Sequence, residues 1–380
     1  MTLPLPAPVW VDTPSALIRL VETLSREPRL AVDTEANSLH AYREQVCLIQ
    51  FSTPETDYLV DPISLDDLTH LAPLFSDPHI EIIFHAAEYD VLGLQRDFDF
   101  SFSNLFDTML AARTLGYKQV GLGSLLAEKF NVDVDKHNQK ADWGMRPLTA
   151  SLIDYARLDT HYLIALRDIL EAELHEKGRW ELAQEDFARS CFVNNLNHNR
   201  PVRGHWERVD GRQDLTARQQ TILNELCIKR EKMAERLNRP LFKVVDDRLL
   251  IKVALAEPRT YDGLILAGFT ERQVQRFGRS LLEAVERGIN SPLVRVSEVE
   301  RLSDAMLTRL HKLKTWRKTR AEAMGVESDV ILPRVYLYAL AEQNPHSLDE
   351  LERALAGSPW RLEHFGPEIM RTLGIRTVTV

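Results

Sequence analysis

Cysteine is scarce in this chain of 380 residues. There are three, Cys47, Cys191 and Cys227, far apart and without a C-x-x-C pair. An odd, sparse set excludes a disulfide scaffold and a cysteine-ligated zinc module, and it fits a reducing compartment, the cytoplasm. No apolar run approaches the roughly 18–20 residues that span a bilayer, so no membrane partner is expected. Basic residues are missing from Met1 to Trp10, which holds three prolines. That opening reads as neither a signal nor a transit peptide. No G-x4-G-K-[ST] stretch occurs, which argues against a P-loop and a nucleotide cofactor. Composition is unbiased: 44% hydrophobic and 27% charged residues exclude collagenous, mucin-like and wholly disordered chains. At roughly 100–200 residues per domain, the length corresponds to two or three domains.

What is present is unevenly spread. The net charge is −9, but residues 1–200 carry −14 and residues 201–380 carry +5. An acidic front and a mildly basic back suit a cation-binding site followed by a polyanion-binding part; they equally suit ordinary solvated surface. The first 170 or so residues alternate strand-like runs (Leu30-Ala31-Val32, Val46 to Phe51, Tyr58-Leu59-Val60, Glu81 to Phe84) with helical patterns over 14–26, 64–76, 88–96, 105–115, 121–130 and 149–176. Such alternation predicts an α/β layered domain. Beyond 177 the pattern is helical, broken by Pro, Gly and Asn, with a linker expected within 193–213.

The back half repeats itself. Arg230 precedes Pro258 by 28 positions, and Arg317 precedes Pro345 by 28. Ala234-Glu235 matches Ala321-Glu322. Leu255-Ala256-Glu257 matches Leu340-Ala341-Glu342, and Phe277-Gly278 matches Phe365-Gly366, with loop glycines Gly268 and Gly357 between. The period exceeds that of common solenoids, so two tandem globular helical modules are expected.

The chemistry lies in front. Asp33-Thr34-Glu35 ends an apolar strand, where residues i and i+2 share a face. Two like charges side by side are costly unless a cation neutralises them. Asp90 follows the strand 82–84 through His85-Ala86-Ala87, which places a carboxylate at the sheet's carboxyl edge, where α/β folds build sites. Tyr155 and Asp159 are i and i+4 on one helix and share a side. Alone, each element also reads as a solvated edge acid, a helix-start acid, or a half-buried tyrosine beside an aspartate. Together, four carboxylates from two strands and a helix, with one tyrosine, can bind two divalent ions. Oxygen-only ligands suit Mg²⁺ or Mn²⁺ better than zinc. Two such ions clamp the attacking and leaving oxygens of a phosphodiester hydrolysis.

The series Asp33-x-Glu35, Asp90, Tyr155-x3-Asp159 resembles the DEDDy branch of the DEDD exonuclease superfamily. Val32 to Glu35, Cys47-Leu48-Ile49-Gln50, Phe84-His85-Ala86, Ala141-Asp142-Trp143, Arg146-Pro147-Leu148 and Tyr155-Ala156-x2-Asp159 narrow it to a resemblance to the ribonuclease D family. The two repeats resemble HRDC modules, the second departing where Gly325 to Asp329 replaces Asn238-Arg239-Pro240. The resemblance implies an α/β RNase H-like exonuclease domain, a mixed sheet with flanking helices, over 1–175. A helical extension and linker over 176–211 and all-α HRDC-like domains over 212–290 and 300–375 follow. It implies metal-dependent 3′→5′ hydrolysis of RNA with free 3′ ends, tRNA precursors above all, releasing 5′-mononucleotides. Asp33, Glu35, Asp90 and Asp159 would hold two metal ions, and Tyr155 would orient the attacking water and assist its deprotonation.

Other residues carry two readings each. Asp107 reads as a helix-start or supporting acid rather than a ligand. His85 reads as a wall or core histidine. Trp143 and Arg146 are candidates for contact with RNA or for packing, and Thr34 and Asn37 for a ribose 2′-hydroxyl. Lys312, Lys314, Arg317, Lys318 and Arg320 surround Trp316 with no acid between 305 and 321. That is either a phosphate-tracking stripe or a solvated helix with Trp316 in its core. Rivals to the ribonuclease reading are a 3′→5′ exodeoxyribonuclease of the same superfamily and a catalytically inactive RNA-binding scaffold.

Overall fold

The computed structural model describes residues 6–134, 136–192, 205–295 and 302–375. The strands are β1 (Val9–Val11), β2 (Arg29–Ala36), β3 (Val46–Ser52), β4 (Asp57–Val60), β5 (Glu81–Phe84) and β6 (Leu105–Asp107), in the spatial order β1-β4-β3-β2-β5-β6. The sheet is mixed: β2 and β4 run antiparallel to β3, while β1 on β4, and β5 and β6 beyond β2, pair in parallel. Short β1 was not expected. The run 105–115 was expected to be helical throughout, but Leu105–Asp107 is the edge strand β6 and the helix starts after it. Three residues are too few for periodicity to show; pairing with β5 makes them a strand.

Helices cover both faces. On one lie α1 (Pro14–Leu24), α2 (Ala72–Ser76) and α3 (Glu88–Phe98). Leu17, Leu20 and Leu24 of α1 meet Leu30 and Val32 of β2 there, beside a packed group of Phe75, Phe100 and Phe102. On the other lie α4 (Thr108–Leu115), α5 (Leu122–Phe130), α6 (Ala150–His161), α7 (Leu163–Glu176) and α8 (Trp180–Cys191). Leu163, Leu166 and Leu170 pack there on Ala31, Ile83 and Phe106. Alternate residues of β2 therefore serve opposite cores. The helix expected over 149–176 is two, parted at Tyr162, which leaves Tyr155 and Asp159 together on the first of them. Of 64–76, only 72–76 is α-helix, after a single tight turn at 69–71.

The chain forms two compact units: Met1–Ala36, Val46–Val193 and Arg301–Val380 in one, Asn37–Gln45 and Asn194–Glu300 in the other. The second unit holds α9 (Ala217–Leu237), α10 (Leu241–Val244), α11 (Asp247–Ala256), α12 (Tyr261–Leu266) and α13 (Glu271–Asn290). Of the expected linker, 193–204 lies outside the described residues. From His205 the chain already belongs to this unit, with Trp206 and Val209 in its core. Gly288 of α13 lies so close to α9 that a Cβ would meet the Ile222 backbone at 2.5 Å. The tip 37–45 joins the same unit: Tyr42 donates its hydroxyl to Glu231 and its backbone N–H to Asn238 Oδ1 at 3.2 Å.

The second helical module belongs to the first unit: α14 (Asp304–Met324), α15 (Ser328–Ile331), α16 (Arg334–Gln343), α17 (Leu348–Ala354) and α18 (Pro359–Leu373). The internal repeat has a physical counterpart. Arg230 Nη1 donates to the carbonyl of Val245 and Arg317 Nη1 to that of Leu332, each at 2.9 Å and each fifteen residues on. Asn238 and Gly325 end the long helices in the same left-handed conformation. The modules differ in what else they hold. Arg361 is completely buried, with Nη1 2.7 Å from Glu185 Oε2, Nη2 3.0 Å from Asp186 Oδ2, and further bonds to the carbonyls of Val330 and Ile331. Both acids sit on α8, so this arginine fixes the second module to the helix that follows the sheet domain.

Removing one partner of a buried ion pair strands the other charge in a low dielectric. Arg361→Met is therefore expected to lower the unfolding free energy by roughly 3–5 kcal/mol, read by urea denaturation of the full chain. A loss below about 1 kcal/mol, the scale of a surface pair, would show that the contact does not hold the module.

Candidate active site

β2 brings Asp33 and Glu35 onto the face covered by α6 and α7, because Ala31, two residues earlier, already packs there. A register shift between Glu35 and Ala36 ends the regular pairing with β3 just past the second acid. From α6, Asp159 points at the same place: carboxylate oxygens of Asp33, Glu35 and Asp159 all lie within 4.8 Å of one another. Asp90 completes the group from the first turn of α3, so the four acids come from one strand and two helices, not from two strands and a helix. Its Oδ1 accepts from the backbone N–H of Thr34 at 3.0 Å and from the Thr34 hydroxyl at 2.6 Å. The residue between the two strand acids thus holds the third acid in place. That hydroxyl donates to Asp90, and Asn37 is buried with its Oδ1 accepting from the Gln45 backbone N–H.

The loop that delivers Asp90 is built on another acid. Asp107 caps α4 by accepting from Met109 and Leu110 N–H, and it also accepts from Ala86 at 3.1 Å and Ala87 at 2.8 Å. Ala86 is left-handed, with φ of 67°, and the carboxylate holds it so as α3 begins. Asp107 is therefore the supporting residue expected of it. His85 is pushed down to about 4 by burial, so it stays neutral at neutral pH, with Nδ1 2.9 Å from the Thr108 hydroxyl. It is a wall residue.

Helix α6 starts at its Thr149 cap and is locked to the sheet by residues that sequence reasoning missed. Arg157 Nη2 lies 3.1 Å from Asp57 Oδ2, and His161 Nδ1 lies 3.0 Å from both Asp57 oxygens. Ser52 donates to Asp57 at 2.7 Å and meets the Thr160 hydroxyl at 2.7 Å. Asp57, at the start of β4, looks like a turn acid until its partners 100 residues away are known. Although burial opposes it, hydrogen bonds from His161 and Ser52 and the Arg157 charge hold its carboxyl below the usual range.

Two RNA-contact candidates turn out to be support. Trp143 is 1% exposed, its ring centroid 6.0 Å from that of Tyr155, so it backs the tyrosine and offers no face to solvent. Arg146 gives its guanidinium to both oxygens of Asp61, at 2.8 and 2.6 Å, and to the carbonyls of Cys47, Trp143 and Met145. In the basic stripe, Arg317 is spent on Leu332, and Arg320 lies over Phe365 and near Glu368. Trp316 donates to Glu368 at 2.8 Å and stands edge-on to Phe365, as a core residue does. Lys312, Lys314 and Lys318 keep their exposure, Lys318 with Glu322 3.9 Å away.

The electrostatics of the acid group are those of a site built for a cation. Burial, and then the neighbouring carboxylates, raise Asp33 well above its ordinary value and push Glu35 up to about 9. Burial raises Asp90 and Asp159 to about 7, the latter with help from Asp90. Burial and the same acids raise Tyr155, which stays a protonated phenol throughout the neutral range. An all-oxygen donor set crowded by like charges fits a hard divalent cation.

Comparison with known proteins places the chain among nucleases. Residues 8–175 match the 3′-5′ exonuclease family model, and residues 219–285 and 306–373 match the HRDC domain. Ribonuclease D of Gluconacetobacter diazotrophicus is 31% identical over 287 residues, 74% of this chain and 72% of that protein. Ribonuclease D of Pseudomonas paraeruginosa is 29% identical over 370 residues, 96% and 97% of the two chains. The crystal structure of Escherichia coli RNase D has the same fold, with a TM-score of 0.71 at 24% identity over 97% of this chain and 99% of that one. The chain spans about a third of the length of RRP6-like and exosome component 10 relatives that it also matches: 31% in Arabidopsis thaliana, 29% in Caenorhabditis elegans and 33% in Drosophila melanogaster.

Carboxyls raised on folding stabilise the protein fully below their unfolded values and lose that contribution as pH climbs through the folded ones. Without divalent ions, the thermal midpoint is therefore expected to fall between about pH 6 and about pH 9, the window set by Asp90, Asp159 and Glu35. Saturating Mg²⁺ or Mn²⁺ should flatten the fall, and Asp33→Asn should shrink it in EDTA. A midpoint that rises across this window in EDTA contradicts the repulsion described here.

Proposed function

The chain belongs to the ribonuclease D family, and from that membership together with the acid group we propose that it is a metal-dependent 3′→5′ exoribonuclease. The observation that carries the reading is the convergence of Asp33, Glu35 and Asp159 oxygens within 4.8 Å, beside Asp90, in a setting that raises all four carboxyls. These four residues would hold two divalent ions, Mg²⁺ or Mn²⁺, which would supply neutralisation of the phosphate charge and a bound water far more acidic than bulk water.

The protein's own residues do the rest. Asp33 and Glu35 are set side by side by the strand, and Asp159 faces them from α6. Thr34 fixes Asp90 by two hydrogen bonds, so a phosphate entering the group meets a prearranged set of oxygens. Tyr155 orients the attacking water through its hydroxyl and assists its deprotonation. Water attacks the phosphorus of the last phosphodiester, the 3′ oxygen of the penultimate nucleotide leaves with a proton, and a nucleoside 5′-monophosphate is released. A paired end must unstack first, at roughly a few kcal/mol, so single-stranded 3′ tails, such as those of tRNA precursors, are preferred substrates. Residues 1–175 carry the chemistry. The HRDC-like modules over 212–290 and 300–375, joined through 176–211, hold the body of the RNA, with Lys312, Lys314 and Lys318 as phosphate contacts in the second. The enzyme works in the cytoplasm.

Tyr155→Phe is expected to lower kcat by about 10²–10⁴-fold with KM nearly unchanged, because a water-orienting hydroxyl acts in the transition state. Unchanged kcat with raised KM would make Tyr155 a binding residue instead.

The direction of digestion is tested with a 5′-labelled RNA carrying a single-stranded tail, beside its circular form. The linear RNA should shorten one nucleotide at a time up to the duplex, EDTA should stop it, Asp159→Asn should fall to background, and the circle should survive. Cleavage of the circle would refute the exonuclease reading.

A further inference from the structure

One side chain beside the acid group breaks the local rule. All seven residues of β3 are buried, and among Val46, Cys47, Leu48, Ile49 and Phe51 stands an amide, Gln50. Gln50 is 0% exposed, and neither Nε2 nor Oε1 has a hydrogen-bond partner. Burying an unpaired amide is costly, and a native protein pairs such groups almost without exception. A leucine or methionine would fill the same strand position without that penalty.

Its position says what the amide is for. Leu48 packs with Trp143 and Ala156, and Ser52 meets Thr160, so the face shared by Leu48, Gln50 and Ser52 lies beneath α6. Along the pairing of β3 with β2, Gln50 stands directly opposite Asp33. Side chains opposed in an antiparallel pair have Cβ atoms roughly 4.5–5.5 Å apart on one face, within reach of a glutamine amide and a short carboxylate. Among the other polar groups under α6, Ser52 and Thr160 bond each other and Asp57 is bonded by Ser52, Arg157 and His161. Trp143 Nε1 and Arg157 Nε are also buried without a partner, but it is Gln50 that stands opposite a site acid.

We propose that Gln50 is a positioning residue for the cation site, its Nε2 donating to the Asp33 carboxylate and so orienting that ligand when the site is loaded. The proposal rests on the metal-binding reading above. An amide suits the task because it donates without adding charge to a crowded group of acids. Placed opposite Asp33 on the same face, the amide can hold the carboxylate oxygen that the cation does not take. Asp90 has Thr34 and Asp159 has the anchoring of α6; Gln50 would give Asp33 a side-chain donor of its own.

The test uses the full chain with Gln50→Met, which keeps length and volume and removes the amide, and with Gln50→Leu as a second apolar variant should the first fold poorly. Mn²⁺ binding is read by electron paramagnetic resonance, and the thermal midpoint in EDTA is read in parallel. The expected result is a Mn²⁺ Kd raised about 10–100-fold with a metal-free midpoint unchanged or higher, because an unpaired buried amide has been replaced by an apolar group. A Kd within about twofold of the unsubstituted protein overturns the proposal. So does a metal-free midpoint that falls in both variants, since the amide would then be serving the fold or a buried water. Asp33→Asn separates this failure from that of the underlying reading: loss of Mn²⁺ binding there, with none in Gln50→Met, leaves the cation site standing without Gln50. Absence of Mn²⁺ binding by the unsubstituted protein overturns both.

Discussion

Four carboxyl groups crowded at one end of a sheet repel one another, and much of the front half exists to keep them together regardless. The two-residue period of β2 aims Asp33 and Glu35 the same way, which local geometry makes unavoidable. Bringing Asp90 and Asp159 to meet them is not local at all. Asp90 is tied to Thr34, on the strand itself, so the third acid cannot drift from the first two. Asp159 rides on α6, which Asp57 grips through Arg157 and His161. The stored repulsion makes the site avid for cations and explains why its metal-free form should be least stable when the acids are charged.

The supporting acids behave differently from the site acids, and the contrast is instructive. Asp57 and Asp107 are buried where Asp33, Glu35 and Asp159 are half-buried, yet their oxygens are met by donors: hydroxyl, imidazole and guanidinium around Asp57, four backbone N–H groups around Asp107. A buried carboxylate with that many donors is a structural joint. Asp33, Glu35 and Asp159 are left to one another. Gln50, an amide with nothing to bond, is set apart from the scaffold by its place opposite Asp33.

The back half uses one device twice and then departs from it. Arg230 and Arg317 close their modules through the same bond to a carbonyl fifteen residues ahead. In the first module Arg230 also pairs with Asp247, at 2.6 Å, whereas the corresponding place in the second is Arg334. The second module instead invests its buried charge in Arg361, whose acids lie on α8. Two copies of one helical pattern thereby take different places in the chain, one anchored beside the sheet domain, the other built around Trp206, α9 and α13.

Short-range periodicity made much of this visible in the sequence alone. Asp33 and Glu35 on a strand, Tyr155 and Asp159 on a helix, Asp107 at a helix start and the tandem helical modules all follow from spacings of two, four or a repeat. What the sequence could not reveal depended on partners far along the chain. Trp143 and Arg146 look like RNA contacts until Tyr155, Asp61 and the Cys47 carbonyl are seen around them. Arg317 looks like one of five free cations until Leu332 claims it. Strand β6 is recognisable only beside β5, and Asp57 only beneath α6. A charged or aromatic side chain carries the same letter whether it faces solvent or a buried acceptor. Periodicity assigns it a face, and only tertiary packing decides whether that face is covered and which distant group meets it there.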